Sequence, residues 1–317
     1  MPLAQLPQRV AVTGGAGFIG SHTVRSLLAA GVETLVIDDF RHACSEPLPS
    51  AARAARCDIA SQEAHAALVE FRPQAVLHLA AEGGVGRSLR DPAGNAQTNV
   101  AGTVALLQAV VDAGCPKVVF ASSGGAIYGR ARRLPSRERD RAMPLSAYGA
   151  SKLAGEAYLG MFGRTFGLHW SALRYGNVYG PWQDGRGEAG VVAISCQRLL
   201  QGQAALVTGD GTQARDFVYV GDVARANLLA LSSPAQGLFN IGTGQATPIA
   251  KLVSILLQQA GSSQSISYLP ARPGEVRLSC LDHARAEARL GWQPGVGLPQ
   301  GLAETVSAFA TGPSRAD

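Results

Sequence analysis

Residues 9–21 read RVAVTGGAGFIGS, an apolar run followed by glycines spaced as GxxGxxG and by the start of an amphipathic stretch. The apolar run predicts a buried strand, and the amphipathic stretch predicts a helix. Gly14 permits a tight turn, Gly17 lets backbone N–H groups approach a pyrophosphate, and Gly20 lets the helix pack closely on the strand. A helix N-terminus also attracts an anion through its partial positive charge. We therefore predict a dinucleotide-binding loop made of Gly14, Gly17, Phe18, Ile19 and Gly20.

A carboxylate follows the second apolar run of the chain. Asp38 ends the stretch TLVID, 18 residues after Gly20. An acid at this position in a dinucleotide-binding fold accepts hydrogen bonds from the adenosine ribose and repels a 2′-phosphate. Asp38 therefore favours NAD over NADP, and Asp39 is a second candidate for the same contact. Asp58 and Ile59 follow a third strand-like stretch and are expected either to reach the adenine or to lie in a polar loop.

Short apolar runs alternate with helical patterns, which predicts a parallel sheet covered on both faces. The predicted strands are 9–13, 34–37, 75–79, 117–121 and 170–174, and the predicted helices are 17–30, 61–71, 95–113, 147–166, 190–201 and 223–231. After residue 176 the pattern loosens into short strands and helices with Gly/Pro loops. We expect an α/β fold with a Rossmann-type doubly wound parallel sheet in residues 1–176. A smaller mixed α/β C-terminal domain is expected in residues 177–317, with the chain returning in part to the first domain.

The composition narrows the compartment and the kinds of site. Hydrophobic residues make up 46% of the 317 residues and charged residues 16%, which argues against extensive disorder. Residues 1–9 have no apolar stretch long enough for a signal peptide, and no segment approaches the ~20 apolar residues of a membrane span. The five cysteines are scattered and form no Cys/His cluster, which indicates neither a disulfide framework nor a metal site. We therefore expect a cytoplasmic protein that needs no metal and no membrane.

The net charge of +5 suggests an anionic partner, and the segment 130–141, RARRLPSRERDR, is dense in arginine. It could be a nucleic-acid patch. Glu138 and Asp140 interrupt it, however, and no aromatic residue alternates with the arginines to stack on bases. The pattern favours a solvated loop, so we expect no nucleic-acid partner. The charge is better explained by a few arginines placed to bind diphosphates.

Tyr148 and Lys152 stand four residues apart in the stretch YGASK, at the start of a predicted helix, so both side chains lie on one face. A free tyrosine has a pKa of about 10 and needs a shift of about 3 units to act as a base near neutral pH. A nearby ammonium and an oxidised nicotinamide would each lower the pKa of Tyr148. Lys152 is one of three lysines in a chain with 28 basic residues. Together with the dinucleotide loop, the pair predicts an oxidoreductase-type active site.

The motifs now assembled resemble the extended short-chain dehydrogenase/reductases, and in particular the NAD-dependent nucleotide-sugar epimerase/dehydratase family. Nearly the whole chain takes part in the resemblance. Within this family, the chain most resembles the nucleotide-sugar 4-epimerases of the UDP-glucose 4-epimerase type. The motifs that carry it are TGGAGFIGS from Thr13, HLAA from His78, NVAGT from Asn99, SSGGAIYG from Ser122, YGASKLAGE from Tyr148, LRYGNVYGP from Leu173, GEAGVVAI from Gly187, GDGTQARDFVYVGDVARA from Gly209, NIGTG from Asn240 and RPGEV from Arg272.

The resemblance implies a tightly bound NAD, regenerated in each cycle, in the first domain and a UDP-sugar in the second. Tyr148 would take the proton from the sugar 4-hydroxyl while C4 is oxidised, and reduction of the turned 4-keto sugar would give the epimer. The resemblance also adds Leu79, Ala80, Ala81 and Asn99 to the predicted cofactor contacts. It places Tyr148 and Lys152 at the nicotinamide end of the cofactor. Homodimers are also usual in the family, through a helix bundle that includes the Tyr/Lys helix.

The family uses a serine or threonine hydroxyl beside the 4-oxygen, and this chain departs from that pattern. Gly124 occupies the usual position, so Ser123 is the preferred candidate and Ser122 the alternative. Related dehydratases and decarboxylases carry acidic residues just before their Val-Tyr-Gly. Here Gly124, Gly125 and Ala126 have no titratable group, which argues against both reactions.

For the substrate, the resemblance implies that Ser123, Asn177 and Val192 contact the sugar or diphosphate and that Arg215 and Arg272 bind the diphosphate. Ser279 aligns with a bulky tyrosine of the glucose/galactose-restricted enzymes, so N-acetylated UDP-hexoses are expected to fit as well. Two other interpretations stay open. One is a UDP-glucuronate 4-epimerase or another 4-keto-forming enzyme, and the other is a non-catalytic dinucleotide sensor or RNA-binding relative on the same fold.

Overall fold

The fold is a large parallel sheet with flanking helices and a smaller mixed part. The structure, a computed structural model, describes residues 5–185, 190–271 and 276–312. The strands are β1 (Arg9–Thr13), β2 (Glu33–Asp38), β3 (Arg53–Arg56), β4 (Ala75–His78), β5 (Lys117–Ser123), β6 (His169–Tyr175), β7 (Asn177–Tyr179), β8 (Ala205–Thr208), β9 (Ala214–Tyr219), β10 (Gly237–Ile241), β11 (Ala246–Pro248) and β12 (Ile266–Leu269). The helices are α1 (Phe18–Ala29), α2 (Gln62–Phe71), α3 (Val85–Arg90), α4 (Pro92–Ala96), α5 (Gly102–Asp112), α6 (Gly124–Ile127), α7 (Ala147–Phe166), α8 (Val191–Leu200), α9 (Val220–Ser232), α10 (Ile249–Gln259), α11 (Ala284–Leu290) and α12 (Leu298–Thr311). Within these ranges no helix is both long and apolar enough to cross a membrane.

Seven parallel strands form the central sheet, in the order β10-β6-β5-β4-β1-β2-β3. Successive residues of β1 face opposite sides, so Val10 and Val12 pack in one core and Ala11 packs in the other. Helices α1 and α9 contribute to the first core, and α2, α5 and α7 to the second. The predicted Rossmann-type doubly wound sheet is confirmed.

The chain after residue 176 builds a second, mixed part. Strands β7, β9 and β11 form one small sheet, and β8 pairs with β12 in another. Helices α8, α10 and α12 close a third core around Tyr179, Phe217 and Leu252. Strand β10 leaves this part and pairs in parallel with β6 at the edge of the central sheet.

Two differences from the sequence prediction lie close to the site. The segment 95–113, predicted as one helix, is divided into α4, a π-helical turn at Gln97–Ala101 and α5. The wider turn brings the Asn99 side chain to Glu82 and Ser151. The second difference is the character of β3, the strand-like stretch predicted before Asp58: it reads RAAR and has no apolar run, because it is an edge strand with little burial.

Candidate active site

The glycine loop lies at the carboxyl end of β1, where a doubly wound sheet binds ligands. Gly14 has a φ of +68°, and a Cβ there would lie 2.6 Å from the backbone nitrogen of Ala80. Because the loop and the end of β4 approach so closely, no other residue fits at Gly14. The first helical hydrogen bond of α1 is donated by Ser21 to the carbonyl of Gly17, at 2.9 Å. The amides of residues 18–20 are therefore not used by the helix and can bind an anion.

Asp38 ends β2 beside this loop and holds it in place. Its Oδ2 accepts a hydrogen bond from the amide of Ala16 at 3.0 Å, and its Oδ1 accepts one from the amide of Phe40 at 2.7 Å. Burial raises the pKa of Asp38, and the two backbone hydrogen bonds lower it in part. Asp39 differs, because its carboxylate forms an ion pair with Arg41 at 2.6 Å. Asp38 is thus placed both to fix the loop and to accept from a ligand.

These elements surround a cleft of about 430 Å³. The sequence-predicted residues that line it are Gly14, Gly17, Phe18, Ile19, Gly20, Asp38, Asp39, Asp58, Ile59, Leu79, Ala80, Ala81, Ser122, Tyr148 and Lys152. Sequence reasoning missed other lining residues, among them Arg41, His42, Cys57, Glu82, Thr98 and Tyr175. Tyr175 lies within the quoted motif LRYGNVYGP, and Thr98 precedes NVAGT, so the neighbourhood of each motif was the available signal. The cleft runs from Asp38 to Tyr148 and is large enough to hold a ligand with two separate ends.

Asn99, unlike the other predicted cofactor contacts, lies outside the cleft lining. It is buried. Its Oδ1 accepts from the amide of Glu82 at 2.8 Å, and its Nδ2 donates to the carbonyl of Glu82 and to the Ser151 hydroxyl. Asn99 therefore joins the loop after β4 to the helix that carries Tyr148.

Tyr148 and Lys152 lie in the first turns of α7, whose N-terminus is capped by the Ser146 hydroxyl accepting from the amide of Gly149. The Lys152 Nζ lies 5.8 Å from the ring centre of Tyr148 and 4.9 Å from that of Phe120. Burial lowers the pKa of Lys152 to about 8. Its ammonium is therefore held in an apolar setting, next to the phenol.

The pKa of Tyr148 is shifted in the direction opposite to the sequence expectation. Burial raises it, and the hydrogen bond from the Ser123 hydroxyl lowers it in part. Desolvation disfavours the phenolate and outweighs that hydrogen bond. The positive charge of a bound oxidised nicotinamide would lower the pKa of Tyr148.

The two serine candidates have different surroundings because adjacent side chains of β5 point to opposite faces. The Ser123 hydroxyl acts on Tyr148, where it lowers the pKa of the phenol. Ser122 is 2% exposed, and its hydroxyl donates to Oε1 of Glu156 at 2.6 Å. Glu156 also forms a buried ion pair with Arg174, at 2.6 Å between Nη2 and Oε2. The Ser122 hydroxyl is thus committed to a buried network, although Ser122 lines the cleft, and the Ser123 hydroxyl, whose residue does not line the cleft, acts on Tyr148.

Alanine at these two positions is expected to give different losses. Ser123→Ala removes the hydroxyl bonded to Tyr148, so turnover should fall about 100-fold with little change in stability. Ser122→Ala removes a hydrogen bond to a charged group, so the free energy of unfolding should fall by about 1.5–3 kcal/mol while most turnover remains. Steady-state kinetics and urea unfolding of both variants measure these effects. The reverse pattern would assign the reacting hydroxyl to Ser122.

The buried side chain of Leu281 explains why position 124 is a glycine. A Cβ on Gly124 would lie 2.5 Å from the Cδ1 of Leu281. Leu281 is fully buried, and its amide donates to Oδ2 of Asp216 at 3.0 Å, so it cannot move aside easily. Gly124 is the first residue of the short helix α6.

The predicted substrate residues lie mostly along β7, β9 and the chain beside them. Asn177 begins β7 and pairs in register with Phe217, two residues beyond Arg215 on β9. The Ser279 amide donates to the carbonyl of Ala214 at 3.1 Å, and an Arg215 Nη donates to that same carbonyl at 3.0 Å. Asn177 Oδ1 is buried and has no hydrogen-bond partner, as expected of an atom that awaits a ligand.

Val192 and Arg272 differ from the other predicted substrate residues. Val192 is 1% exposed as a whole residue and packs in the third core, so its side chain and its backbone amide are both buried. That amide belongs to the first turn of α8, where the helix does not use it. Arg272 lies outside the described residues. Across the described ranges, no group of three His, Cys, Asp or Glu residues could hold a metal ion.

Comparison with known proteins connects this geometry to a family. The NAD dependent epimerase/dehydratase family matches residues 10–242. The UDP-glucose 4-epimerase of Mycolicibacterium smegmatis is 42% identical over 308 residues, covering 95% of this chain and 98% of the relative.

Two solved structures are similarly close. The UDP-glucose 4-epimerase of Thermotoga maritima, crystallised with UDP-glucose, is 43% identical with a TM-score of 0.93, covering 96% of this chain and 99% of that one. The UDP-glucose 4-epimerase of Thermus thermophilus, in complex with NAD, is 43% identical with a TM-score of 0.90, covering 95% and 98%. These matches confirm the resemblance drawn from the motifs: the chain belongs to the NAD-dependent epimerase/dehydratase family.

Proposed function

We propose that this protein is an NAD-dependent 4-epimerase of a UDP-hexose that works through a 4-keto intermediate. The observation that carries the proposal is the pair Tyr148 and Lys152, which lines one end of a cleft whose other end is the glycine loop. The absence of a titratable side chain at Gly124, Gly125 and Ala126 supports epimerisation over dehydration. Identities of 42–43% to UDP-glucose 4-epimerases support the same choice.

The cleft fits NAD at three points. The free amides of residues 18–20 suit the pyrophosphate, and Asp38 suits the adenosine ribose. Lys152 suits the nicotinamide ribose. Asp58, Ile59 and the stretch 79–81 would line the adenine and nicotinamide sides. Asn99 would act indirectly, by fixing the loop at Glu82.

In the proposed reaction Tyr148 removes the proton of the sugar 4-hydroxyl. Bound NAD⁺ supplies the oxidising equivalent by accepting hydride from C4 and returning it to the other face of the sugar. Ser123 donates to the developing negative charge on the sugar 4-oxygen or on Tyr148, and Lys152 stabilises both electrostatically. Tyr148 then returns the proton to the new 4-hydroxyl, so acid and base are the same residue.

We propose that the diphosphate of the substrate is held by Arg215, by Arg272 and by the amide of Val192 at the start of α8. Arginine suits this task because its planar fork pairs with phosphate oxygens at two points. Asn177, with its unpartnered Oδ1, would hydrogen-bond a sugar hydroxyl.

The substrate range of the purified protein decides whether the substrate is a UDP-hexose or a UDP-hexuronate, in which C6 is oxidised. Purified protein is incubated separately with UDP-glucose, UDP-N-acetylglucosamine and UDP-glucuronate, and the products are separated by ion-pair chromatography. We expect 4-epimers of the first two. Turnover of UDP-glucuronate alone would replace the UDP-hexose by the hexuronate, with the 4-hydroxyl chemistry unchanged. No epimer from any of the three would refute the proposed function.

Ser279 is expected to widen the sugar pocket. It is 7% exposed and lies beside the Arg215 strand. Ser279→Tyr adds a ring at this position, so kcat/KM for UDP-N-acetylglucosamine should fall about 10–200-fold more than that for UDP-glucose. Ser279→Ala is the control, since it keeps the side chain small. Equal losses on both substrates would contradict the assignment.

We further propose a homodimer, a division of the chain near residue 176 and a cytoplasmic location. Exposed Val85 and Leu89 on α3, next to α7, support a dimer surface on that side. The third core, formed after residue 176, supports the division. Five free, scattered cysteines suit a reducing compartment.

A further inference from the structure

Trp182 has a backbone conformation that its side chain disfavours. Its φ is +67°, in the left-handed region that bulky residues rarely adopt. Such a conformation persists where surrounding contacts hold it, and it often marks a functional element. Trp182 lies in the segment 180–185, which leads from β7 towards α8.

The contacts that hold Trp182 come from α1, the helix of the dinucleotide loop. The Trp182 ring stacks on the His22 imidazole, with centroids 4.1 Å apart and planes at 23°. His22 Nε2 donates to the carbonyl of Pro181 at 3.0 Å, so one histidine fixes both the ring and the backbone before it. The Arg25 guanidinium lies 5.1 Å from the Trp182 ring centre, and Arg25 lies one turn after His22 on α1.

The cluster is anchored on its other sides as well. Arg25 forms an ion pair with Glu46 at 2.9 Å and donates to the carbonyl of Pro47 at 2.8 Å. The Phe18 ring meets His22 edge-on, with centroids 5.9 Å apart. Phe18 also lines the cleft and starts α1. A chain of ring contacts therefore joins the cofactor cleft to the segment before α8.

We infer that His22 and Trp182 form a clasp that joins the cofactor helix α1 to the segment 180–185, and that this segment, which packs on α8 where Gly185 lies against Ala193 and Gln197, positions α8 for the UDP-sugar. The clasp consists of these two stacked rings, with Arg25 beside them. This inference rests on the proposed function, since it assigns the start of α8 to the diphosphate. His22 and Trp182 are positioning residues, because neither lines the cleft.

The clasp has a specific effect on kinetics. Without it, the segment 180–185 samples several conformations, and the apparent affinity for substrate falls by the fraction of molecules that keep the ordered one. Saturating substrate selects the ordered conformation again, so kcat is preserved. The NAD loop does not depend on Trp182, because Gly14–Gly20 are held by β1, Asp38 and α1.

The test measures kcat and KM for UDP-galactose, together with retained NAD, in Trp182→Ala, Trp182→Phe, His22→Ala and the double variant His22→Ala/Trp182→Ala. Trp182→Ala and His22→Ala should each raise KM about 10-fold, with kcat within about 2-fold and NAD content unchanged. Trp182→Phe keeps an aromatic ring stacked on His22, so its KM should lie within about 3-fold of the wild-type KM. The rise in KM in the double variant should be well below the product of the two single effects, since the stacked contact is lost in all three. His65→Ala, at an exposed histidine paired with Asp112, is the matched control.

The inference is overturned if KM stays unchanged in Trp182→Ala and His22→Ala, or if the two effects add. A loss of kcat with unchanged KM, or of NAD, would likewise overturn it. If Trp182→Ala does not fold, His22→Ala and Trp182→Phe still decide the question. If the wild-type protein does not epimerise UDP-galactose, the proposed function fails separately. The clasp is then tested by the calorimetric Kd for UDP, which should weaken about 10-fold in both single variants.

Discussion

Replacing Tyr148 with phenylalanine is expected to lower kcat for UDP-galactose by about 10³-fold, because the phenol is the only acid/base assigned to the 4-hydroxyl. The ring remains, so its packing at the start of α7 and the capping by Ser146 should be unaffected. Retained NAD and the melting temperature should therefore match those of the wild type. Steady-state kinetics, cofactor absorbance after denaturation and a thermal melt measure the three quantities.

Tyr158 offers a matched control for this variant. It lies on the same helix, is 37% exposed and has no assigned role in the site. Tyr158→Phe should leave kcat within about 2-fold, since an exposed substitution of this kind changes little. A Tyr148→Phe variant that retained turnover would remove Tyr148 from the chemistry. A variant that lost NAD would show that the phenol acts mainly in cofactor binding.

Replacing Gly17 with valine should abolish cofactor binding without unfolding the protein. A Cβ at Gly17 meets only the carbonyl of Gly14, at 3.3 Å, so the substitution adds bulk towards the cleft and not into the core. The added methyl groups would keep a pyrophosphate from the amides of residues 18–20. Losing two hydrogen bonds to a charged group, at about 1.5–3 kcal/mol each, weakens NAD binding by at least about 100-fold. The purified variant should contain little NAD and show correspondingly little turnover.

Gly297 provides the control, because it occupies the same position on another helix. Gly17 caps α1 with φ −74° and ψ 175°, and Gly297 caps α12 with φ −68° and ψ 149°. A Cβ at Gly297 has no neighbour within 4 Å. Gly297→Val should therefore lower the free energy of unfolding by the same small amount as Gly17→Val, through the altered helix cap. It should retain full NAD content. Normal NAD content in Gly17→Val would contradict the assignment of the loop to the pyrophosphate.

The cofactor end of the site could be predicted from sequence because its determinants are local. The loop at 14–20, the acid at Asp38 and the Tyr148/Lys152 pair each depend on spacing within one strand–helix unit. The observed bounds of β1 and α7 equal the predicted ones, since a buried apolar run and a capped helix have clear end signals.

Other features depend on contacts between distant parts of the chain. Whether Ser122 or Ser123 faces Tyr148 depends on Glu156 and Arg174, which come from α7 and β6. The direction of the Tyr148 pKa shift depends on burial, which spacing does not reveal. The π-helical turn at Asn99 and the stacking of Trp182 on His22 likewise arise from tertiary neighbours.

The central claim, oxidation and reduction at C4 by a cofactor that stays bound, is tested most directly by an isotope at that carbon. UDP-[4-²H]glucose is incubated with purified protein in ordinary water without added cofactor, and the product is analysed by NMR and mass spectrometry. The account predicts UDP-galactose that keeps its deuterium at C4, because the label leaves and returns within one closed site. Loss of the deuterium to solvent, or no turnover unless NAD is added, would contradict it.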